Sequence, residues 1–390
     1  MDSNESVTRK QEQARLFGET SRGTLMGTLL RQFWHPVARA ESLEKGKARA
    51  VRLLAEDLTL YRGESGEFHL IAARCAHRGT LMHTGWVEGD QLRCMYHGWR
   101  YDGSGLCTEI PAETQPRSRP VKMAGYPTRQ YAGLVFAYLG EALAPAFDLP
   151  RKQALEDAAR HRVVLDQKWD CNWFQQIENS LDPVHLAFAH RWGKLTNYGE
   201  GRKATATPTQ SYEETSSGVR QRYSTGAKDR ISDWTFPNYN HLIVPGAQSD
   251  DPWSEICAWT VPVDDETTIR YRVYSYPSSA SAQAGRVASE SPDYNPADHY
   301  DALFNRDEAA RLQALDVVDL QFFTAQDYVA MRGQGRIADR VNENLSVSDA
   351  GVLFLRKLFL REMEAIRLGQ PTKKWAPLAE KVELPVQVGQ

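Results

Sequence analysis

Cysteine is scarce in this sequence, with only five among 390 residues. A number that is small and odd argues against a framework of disulfide bonds, which small secreted domains use to supplement a minor core. Thiols that are not paired with one another remain available as metal ligands. The five are Cys75, Cys94, Cys107, Cys171 and Cys257.

Long apolar runs and an excess of charge are also missing. No stretch of about 18 apolar residues occurs, so a membrane-spanning helix is not predicted. The polar start, MDSNESVTRKQEQ, lacks the apolar segment of a secretory signal. The formal net charge of −3 gives no basic field for nucleic acid or an anionic membrane. We therefore expect a cytoplasmic protein with neither nucleic acid nor membrane among its partners.

The length and composition fit a globular chain of at least two domains. Hydrophobic residues make up 41% of the sequence, enough to bury large cores. Residues 51–72 predict a hairpin around a Gly-rich turn, and residues 132–139 predict a buried strand. Prolines and lost periodicity then place a boundary within residues 141–162. We expect an N-terminal segment 1–24, an all-β domain 25–150 and a second domain 151–390.

The second region mixes strands and helices, which predicts an α+β protein. Residues 268–276 alternate apolar residues with Arg270 and Arg272, as in a strand with one face in solvent. Residues 349–368 place apolar side chains on one helical stripe, with Ser348 as the predicted N-cap and a glycine just after the end.

Two short segments each combine one cysteine with one histidine. Cys75 and His77 form C-x-H, and after sixteen intervening residues Cys94 and His97 form C-x-x-H. Each pair fits on a tight loop, and two such loops can hold one metal centre from opposite sides. Each motif is followed by a glycine, which permits close approach of the backbone.

The ligand mixture favours an iron–sulfur cluster over zinc. Structural zinc usually draws on C-x₂₋₄-C and H-x₃₋₅-H pairs, whereas each segment here offers one thiolate and one imidazole. In a Rieske [2Fe–2S] centre two thiolates hold one iron and two imidazoles the other, which raises the reduction potential to roughly −150 to +300 mV. The alternatives are a structural zinc site and two unrelated Cys/His pairs that occur by chance in a β-domain. His83 has no partner at ligand spacing and is predicted to be a turn or surface residue.

A second group of candidate ligands lies in the second region. Asp182, His185 and His190 form D-x-x-H-x₄-H. On a regular helix two residues five apart lie about 140° around the axis, so the histidines converge only if the helix is distorted. Pro183 supplies a reason for irregularity, and it also leaves Asp182 as a plain helix N-cap in the alternative interpretation.

Two histidines and one carboxylate with open positions are typical of non-haem Fe(II). Asp327 is the candidate carboxylate because it shares a helical face with Leu320 and Phe323, so its charge lies on an apolar stripe. A lone buried carboxylate is costly without a cation or a metal.

Two further features bear on substrate binding. The Ser-, Ala- and Pro-rich residues 278–296 predict a loop and a candidate lid. A group of basic residues after His190 could face a substrate carboxylate, although a solvated loop is the simpler interpretation. The group is Arg191, Lys194, Arg202 and Lys203.

Taken together, these residues resemble the oxygenase component of the Rieske non-haem iron oxygenases. The segments RQFWHPVA, CAHRG, YHGWRYDGSG, ENSLDPVH and the late Gln326–Asp327 are most similar to the group that contains phthalate dioxygenase and the dehydrodivanillate O-demethylases. The resemblance implies a Rieske domain and a helix-grip catalytic domain with a curved antiparallel sheet. It also implies a homotrimer, single or stacked, in which Asp182 links His185 to His97 of a neighbouring subunit.

The resemblance further implies cofactors and partners. A [2Fe–2S] cluster would be held by Cys75, His77, Cys94 and His97, and a mononuclear Fe(II) by His185, His190 and Asp327. The sequence has no G-x-G-x-x-G motif after a strand, so NAD(P)H would bind to a separate flavin and iron–sulfur reductase. With O₂, the enzyme would dihydroxylate, hydroxylate or O-demethylate an aromatic acid. The competing hypotheses are a Rieske electron-transfer protein with a non-catalytic ligand-binding domain and a zinc-stabilised binding module.

Overall fold

Antiparallel pairing between strands accounts for every sheet in the described part of the chain. The computed structural model describes residues 3–115, 118–147, 149, 152–190, 208–224, 229–244, 254–277 and 320–376. Residue contacts divide the chain into a larger unit, Met1–Glu19, Thr24–Met26 and Asp148–Gln390, and a smaller unit, Thr20–Gly23 and Gly27–Phe147. Within these described ranges, no helix is both long and apolar enough to cross a bilayer.

The elements follow in chain order. The described α-helices are α1 (Ser3–Gly18), α2 (Leu25–Leu30), α3 (Gln153–Glu156), α4 (Trp173–Ser180), α5 (His185–Phe188), α6 (Leu320–Gly333) and α7 (Ala350–Arg367). The first eleven strands are β1 (Trp34–Arg39), β2 (Lys47–Leu53), β3 (Glu56–Arg62), β4 (Phe68–Ala72), β5 (Trp86–Glu88), β6 (Gln91–Arg93), β7 (Arg100–Tyr101), β8 (Cys107–Glu109), β9 (Gly125–Tyr126), β10 (Thr128–Tyr131) and β11 (Leu134–Tyr138). The next seven are β12 (Arg160–Trp169), β13 (Thr209–Glu214), β14 (Gly218–Ser224), β15 (Asp229–Thr235), β16 (Tyr239–Val244), β17 (Ser254–Pro262) and β18 (Thr268–Pro277).

The smaller unit is built from small antiparallel sheets. Its described strands form the orders β1-β11-β10, β2-β3-β4-β9 and β5-β6-β7-β8. The hairpin predicted around the Gly-rich turn is confirmed, since β3 and β4 pair on either side of residues 63–67. The predicted strand 132–139 is also confirmed as β11, which is buried along its whole length because it lies between β1 and β10.

The larger unit contains one long antiparallel sheet in the order β12-β18-β17-β16-β15-β14-β13. Helices α4 and α7 contact this sheet, and α4 also contacts α1, α6 and α7. With the sheets of the smaller unit, this arrangement confirms the predicted α+β fold, an all-β Rieske-type module and a helix-grip-like domain. The candidate lid, residues 278–296, and the basic group after His190 lie outside the described residues.

The strand predicted at residues 268–276 is present as β18, but the prediction that one of its faces lies in solvent is wrong. Arg272 is only 5% exposed, and its Nη1 donates to Thr324 Oγ1 at 3.2 Å. Thr324 belongs to α6, so this helix covers the face on which alternation alone placed solvent. Alternation reports only that two faces differ, and here the more polar face lines a cavity.

Helix α7 confirms the predicted C-terminal helix but not its predicted cap. Ser346, rather than Ser348, begins the segment: its side chain and that of Asp349 form a capping box around the 3₁₀ turn Val347–Asp349. Gly369 follows the helix with φ +65°, a conformation that glycine adopts without strain. On the buried stripe, Phe359 contacts four aromatic rings, those of Trp173, Phe174, Trp234 and Phe236.

Gly351 lets α7 approach the segment that leads to the second group of candidate ligands. A Cβ at this buried position would overlap the Leu181 carbonyl oxygen and crowd the ring of Tyr212, whose hydroxyl donates to the same carbonyl at 2.9 Å. Gly333, at the end of α6, has no atom within 4 Å of the corresponding position.

We predict that Gly351→Ala lowers the thermal unfolding midpoint, whereas Gly333→Ala leaves it unchanged or raises it. Alanine stabilises a helix by about 1 kcal/mol relative to glycine. Overpacking costs about 1–3 kcal/mol, and this cost exceeds the gain only where the added Cβ has no room. Differential scanning calorimetry of the two variants measures both effects. Equal midpoints for the two would contradict the close contact.

Candidate metal centres

The two Cys/His segments form matching loops at one end of the smaller unit. The first follows β4, and the second joins β6 to β7. In each loop a cysteine carbonyl accepts from the glycine four residues later, Gly79 N at 2.9 Å and Gly98 N at 3.0 Å. Both glycines have positive φ, +77° and +74°. The same backbone turn therefore presents each Cys/His pair, because only glycine adopts this conformation readily at the turn.

The loops separate the thiols from the imidazoles. Cys75 and Cys94 are buried, 4% and 2% exposed, whereas His77 and His97 are exposed. The two imidazole rings lie 4.5 Å apart between centroids, and that of His77 also stacks on Trp99 at 4.6 Å. Two inner sulfur ligands and two outer nitrogen ligands match the donor set of a Rieske cluster, so these residues fit such a group.

Donors to sulfur surround the buried pair. The Tyr101 hydroxyl lies 3.2 Å from Cys75 Sγ and is fully buried with it. Burial raises the pKa of the Cys94 thiol, while hydrogen bonds from the backbone N–H groups of Tyr96 and His97 oppose that rise. Donors to sulfur favour the thiolate form that a metal centre requires, and they would tune the properties of a cluster held by these thiols.

The second group comes together in the larger unit. His190 Nε2 lies 3.2 Å and His185 Nε2 3.7 Å from Asp327 Oδ1. One ligand atom from each of the three residues lies within 4.8 Å of the others, and among the described residues no other group of His, Cys, Asp or Glu meets this condition. The donor set, two imidazoles and a carboxylate, fits a non-haem Fe(II) site.

The helix that contains His185 ends before His190, so the two histidines of the D-x-x-H-x₄-H motif can converge although they are five residues apart. Helix α4 ends at Ser180, and the short helix α5 contains His185 but stops at Phe188, before His190. The two histidines therefore do not share one regular helix. Asp327 approaches from α6, about 140 residues later in the chain.

Gln326 is a residue of the candidate site for which the sequence analysis predicted no role. Its Oε1 lies 2.8 Å from His190 Nδ1 and can accept a hydrogen bond from an N–H at that position, the tautomer that would leave Nε2 available to a metal. Gln326 is 6% exposed. On the other side, Asn179 Nδ2 donates to Asp327 Oδ1 at 3.4 Å. The adjacency of Gln326 to a candidate ligand was the available signal.

The electrostatics of the three side chains favour a cation. Burial alone would raise the pKa of the Asp327 carboxyl, but the charge and hydrogen bond of His190, with the charges of His185 and Arg270, lower it to about 2. Burial lowers the pKa of His185, but Asp182 and Asp327 outweigh it and hold this pKa above its usual value. Asp327 thus stays ionised, and positive charge is stabilised beside it.

Asp182 both caps the turn before α5 and lies beside His185, the two roles that the sequence left open. Its Oδ1 accepts from the backbone N–H of Val184 at 2.8 Å, so it fixes the turn before α5. Its Oδ2 lies 3.7 Å from His185 Nδ1, on the opposite side of that ring from Asp327. The same carboxylate can therefore hold the turn and orient the imidazole.

A cavity adjoins these side chains within the larger unit. Its wall on the helix side includes Asp182, His185, His190 and Asp327, and its wall on the sheet side carries both polar and apolar side chains of β14 to β18. Trp169 and Trp173 are fully buried and are not among the residues that line it. His83 lies in a 3₁₀ turn, Met82–Thr84, as expected. Among the described residues, Cys107, Cys171 and Cys257 form no disulfide bond.

Comparisons with known proteins give consistent matches. Residues 33–131 match the Rieske [2Fe-2S] domain. The chain is 34% identical over 361 residues to the 5,5'-dehydrodivanillate O-demethylase oxygenase subunit of Sphingobium sp. (90% of this chain, 80% of the relative), and 28% identical to a phenoxybenzoate dioxygenase subunit alpha of Ectopseudomonas oleovorans (90% and 84%). A solved NdmA variant of Pseudomonas putida CBB5 shares the fold, with a TM-score of 0.66, 23% identity and coverage of 87% and 92%.

We predict that Gln326→Leu lowers the affinity of the purified protein for Fe(II) by about 10–100-fold, the usual effect of losing an outer partner of a histidine ligand. Gln326→Glu retains an acceptor for His190 Nδ1 and is expected to retain most of the affinity. Titration with Fe(II) under anaerobic conditions measures both variants. Equal affinities of the Leu variant and the unmodified protein would show that the hydrogen bond does not orient a ligand.

Proposed function

The chain belongs to the Rieske non-haem iron oxygenases, in the group with phthalate 4,5-dioxygenase and 5,5'-dehydrodivanillate O-demethylase, and from this membership we propose that it oxidises an aromatic carboxylate. It is the oxygenase component of its system, and its cofactors are a Rieske [2Fe–2S] cluster and a mononuclear non-haem iron. The chemistry that these groups supply when bound is reduction and activation of O₂.

We assign Cys75, His77, Cys94 and His97 to the cluster and His185, His190 and Asp327 to the mononuclear iron. The assignment of the first four rests on the paired loops and on the separation of buried thiols from exposed imidazoles. The assignment of the other three rests on ligand atoms within 4.8 Å of one another at the edge of the cavity, which is the observation that carries the proposal.

The contribution of the chain to catalysis is positioning and exclusion of water. Gln326 fixes the tautomer of His190, and Asp182 orients His185. Leu186, Leu242, Ile256 and Tyr274 supply an apolar surface beside the ligands, where an aromatic ring can displace water. Product type follows from which substrate atom this surface presents: a ring edge leads to a phenol or a cis-diol, and a methoxy carbon to demethylation.

The exposed imidazoles of His77 and His97 suit exchange of electrons with another protein, because they bring the cluster ligands to the surface of the smaller unit. We propose a separate NAD(P)H-dependent flavin and iron–sulfur reductase as the donor. We also propose a homotrimer, single or stacked, in which Asp182 contacts His97 of a neighbouring subunit. The competing electron-transfer function is not favoured, since relatives that align along most of the chain are named as oxygenases.

Metal analysis and turnover test the proposal together. The anaerobically loaded enzyme should contain about three irons per chain and consume O₂ with reductase, NADH and one member of a panel of phthalates, benzoates and methoxylated aromatic acids. Asp327→Ala should retain the cluster spectrum, lose one iron and lose nearly all activity, because the variant lacks the carboxylate between the two histidines. Asp170→Ala, which removes a carboxylate elsewhere in the larger unit, is the control. Two irons per chain in the unmodified enzyme would identify an electron carrier instead.

We predict that Asp182→Asn retains both metals but slows the reoxidation of the reduced cluster that substrate and O₂ trigger by about 10-fold or more. The amide oxygen can still accept from Val184 N–H, whereas the negative charge beside His185 is lost. Stopped-flow absorbance of the cluster in single turnover measures this rate. Loss of iron from the variant would instead make Asp182 a metal ligand.

A further inference from the structure

The cavity beside the three candidate iron ligands has two guanidinium groups in its wall. Arg270 and Arg272 both line it, and as residues two apart on β18 they lie on the same face of the sheet. The same face continues with Tyr274, which also lines the cavity. Two cations followed by an aromatic ring thus form one edge of the substrate space.

Arg272 is held in position by contacts on three sides. Its Nη1 donates to Thr324 Oγ1 at 3.2 Å, its Nη2 donates to Gln167 Oε1, and its guanidinium lies 5.2 Å from the centre of the Tyr274 ring. Arg272 is therefore a fixed cationic part of the wall.

Arg270 differs from Arg272 in exposure and in reach. Arg270 is only partly buried, whereas Arg272 is 5% exposed. Arg270 lines the same cavity as His185, His190 and Asp327. Of the two arginines, Arg270 is the one able to contact a ligand that lies next to His185, His190 and Asp327.

An apolar strip lies on the same wall. Leu242, Ile256 and Tyr274 are consecutive cross-strand neighbours on β16, β17 and β18, since Leu242 pairs with Ile256 and Ile256 with Tyr274. All three line the cavity. A cationic group beside a strip of three apolar side chains is complementary to an aromatic ring that carries an anionic substituent.

The charge balance of the cavity points the same way. The ionisable residues among its described lining are Asp182, Asp327, His185, His190, Arg270 and Arg272. Arg270 and Arg272 add positive charge to this described lining, as would a ferrous ion held by the two histidines and Asp327. An anionic ligand gains an electrostatic attraction in this cavity that a neutral ligand of the same shape lacks.

We propose, on the basis of the function proposed above, that Arg270 forms an ion pair with the carboxylate of the aromatic substrate while the ring lies on Leu242, Ile256 and Tyr274. This contact selects anionic over neutral aromatic compounds and fixes which ring edge faces the iron. A planar guanidinium suits this role because it can donate two parallel hydrogen bonds to a carboxylate.

The test compares an anionic probe with its neutral analogue, 4-methoxybenzoate and 4-methoxybenzamide, on fully iron-loaded enzyme. Dissociation constants are measured by the change that each probe causes in the ferrous-site spectrum, for the unmodified enzyme, Arg270→Gln and Arg270→Lys. Lys168→Gln is the matched control, because it removes a cation from β12 of the same sheet at a side chain that is 67% exposed. Iron content is measured for each sample.

We expect Arg270→Gln to weaken 4-methoxybenzoate at least 10-fold and to leave 4-methoxybenzamide within about twofold, with Arg270→Lys in between and Lys168→Gln unchanged. Equal weakening of both probes, or none, overturns the assignment, as does equal binding of the two by the unmodified enzyme. Loss of iron from the Arg270 variants with unchanged selectivity would make Arg270 a structural partner of Asp327. Failure of the proposed function is distinct, since it leaves the unmodified enzyme without substrate-dependent O₂ consumption.

Discussion

The partial burial of Asp327, whose side chain is 15% exposed, is the constraint around which the larger unit is organised. An ionised carboxylate inside a protein is costly unless positive charge or hydrogen-bond donors surround it. Here His185 and His190 approach the same oxygen, Asn179 donates to it, and Arg270 adds a positive field. The break between α4 and α5 and the covering of β18 by α6 both serve to bring these groups to one oxygen atom.

The smaller unit resolves a different requirement, because its ligands need two environments. The thiols are buried beside Tyr101 and backbone N–H groups, and the imidazoles are exposed at the tips of the loops. Burial limits access of water to the sulfur ligands, while exposure of the imidazoles keeps a short path to a partner. A turn repeated twice with the same hydrogen bonds achieves both, since each loop carries one ligand of each kind.

Much of this architecture could be predicted from local patterns. The hairpin of β3 and β4, the strands β11 and β18 and the helix α7 follow from periodicity and turn residues, which depend on neighbours in sequence. The solvent face assigned to β18 was wrong because Arg270 and Arg272 lie toward a cavity, and alternation cannot separate a polar cavity from bulk water. The N-cap is Ser346 and not the predicted Ser348, because a 3₁₀ turn precedes α7. The contact of Gln326 with His190 depends on tertiary packing, so spacing did not reveal it.

Two neighbouring residues of α6 act on different partners: Gln326 contacts His190, and Asp327 faces both histidines. Successive residues of a helix point about 100° apart, so both contacts exist together only at one rotational setting of α6. A single-residue insertion or deletion within α6 upstream of this pair would turn both side chains away at once. The site therefore tolerates substitution elsewhere in this helix far better than a change in its length, and its assembly has an all-or-none character.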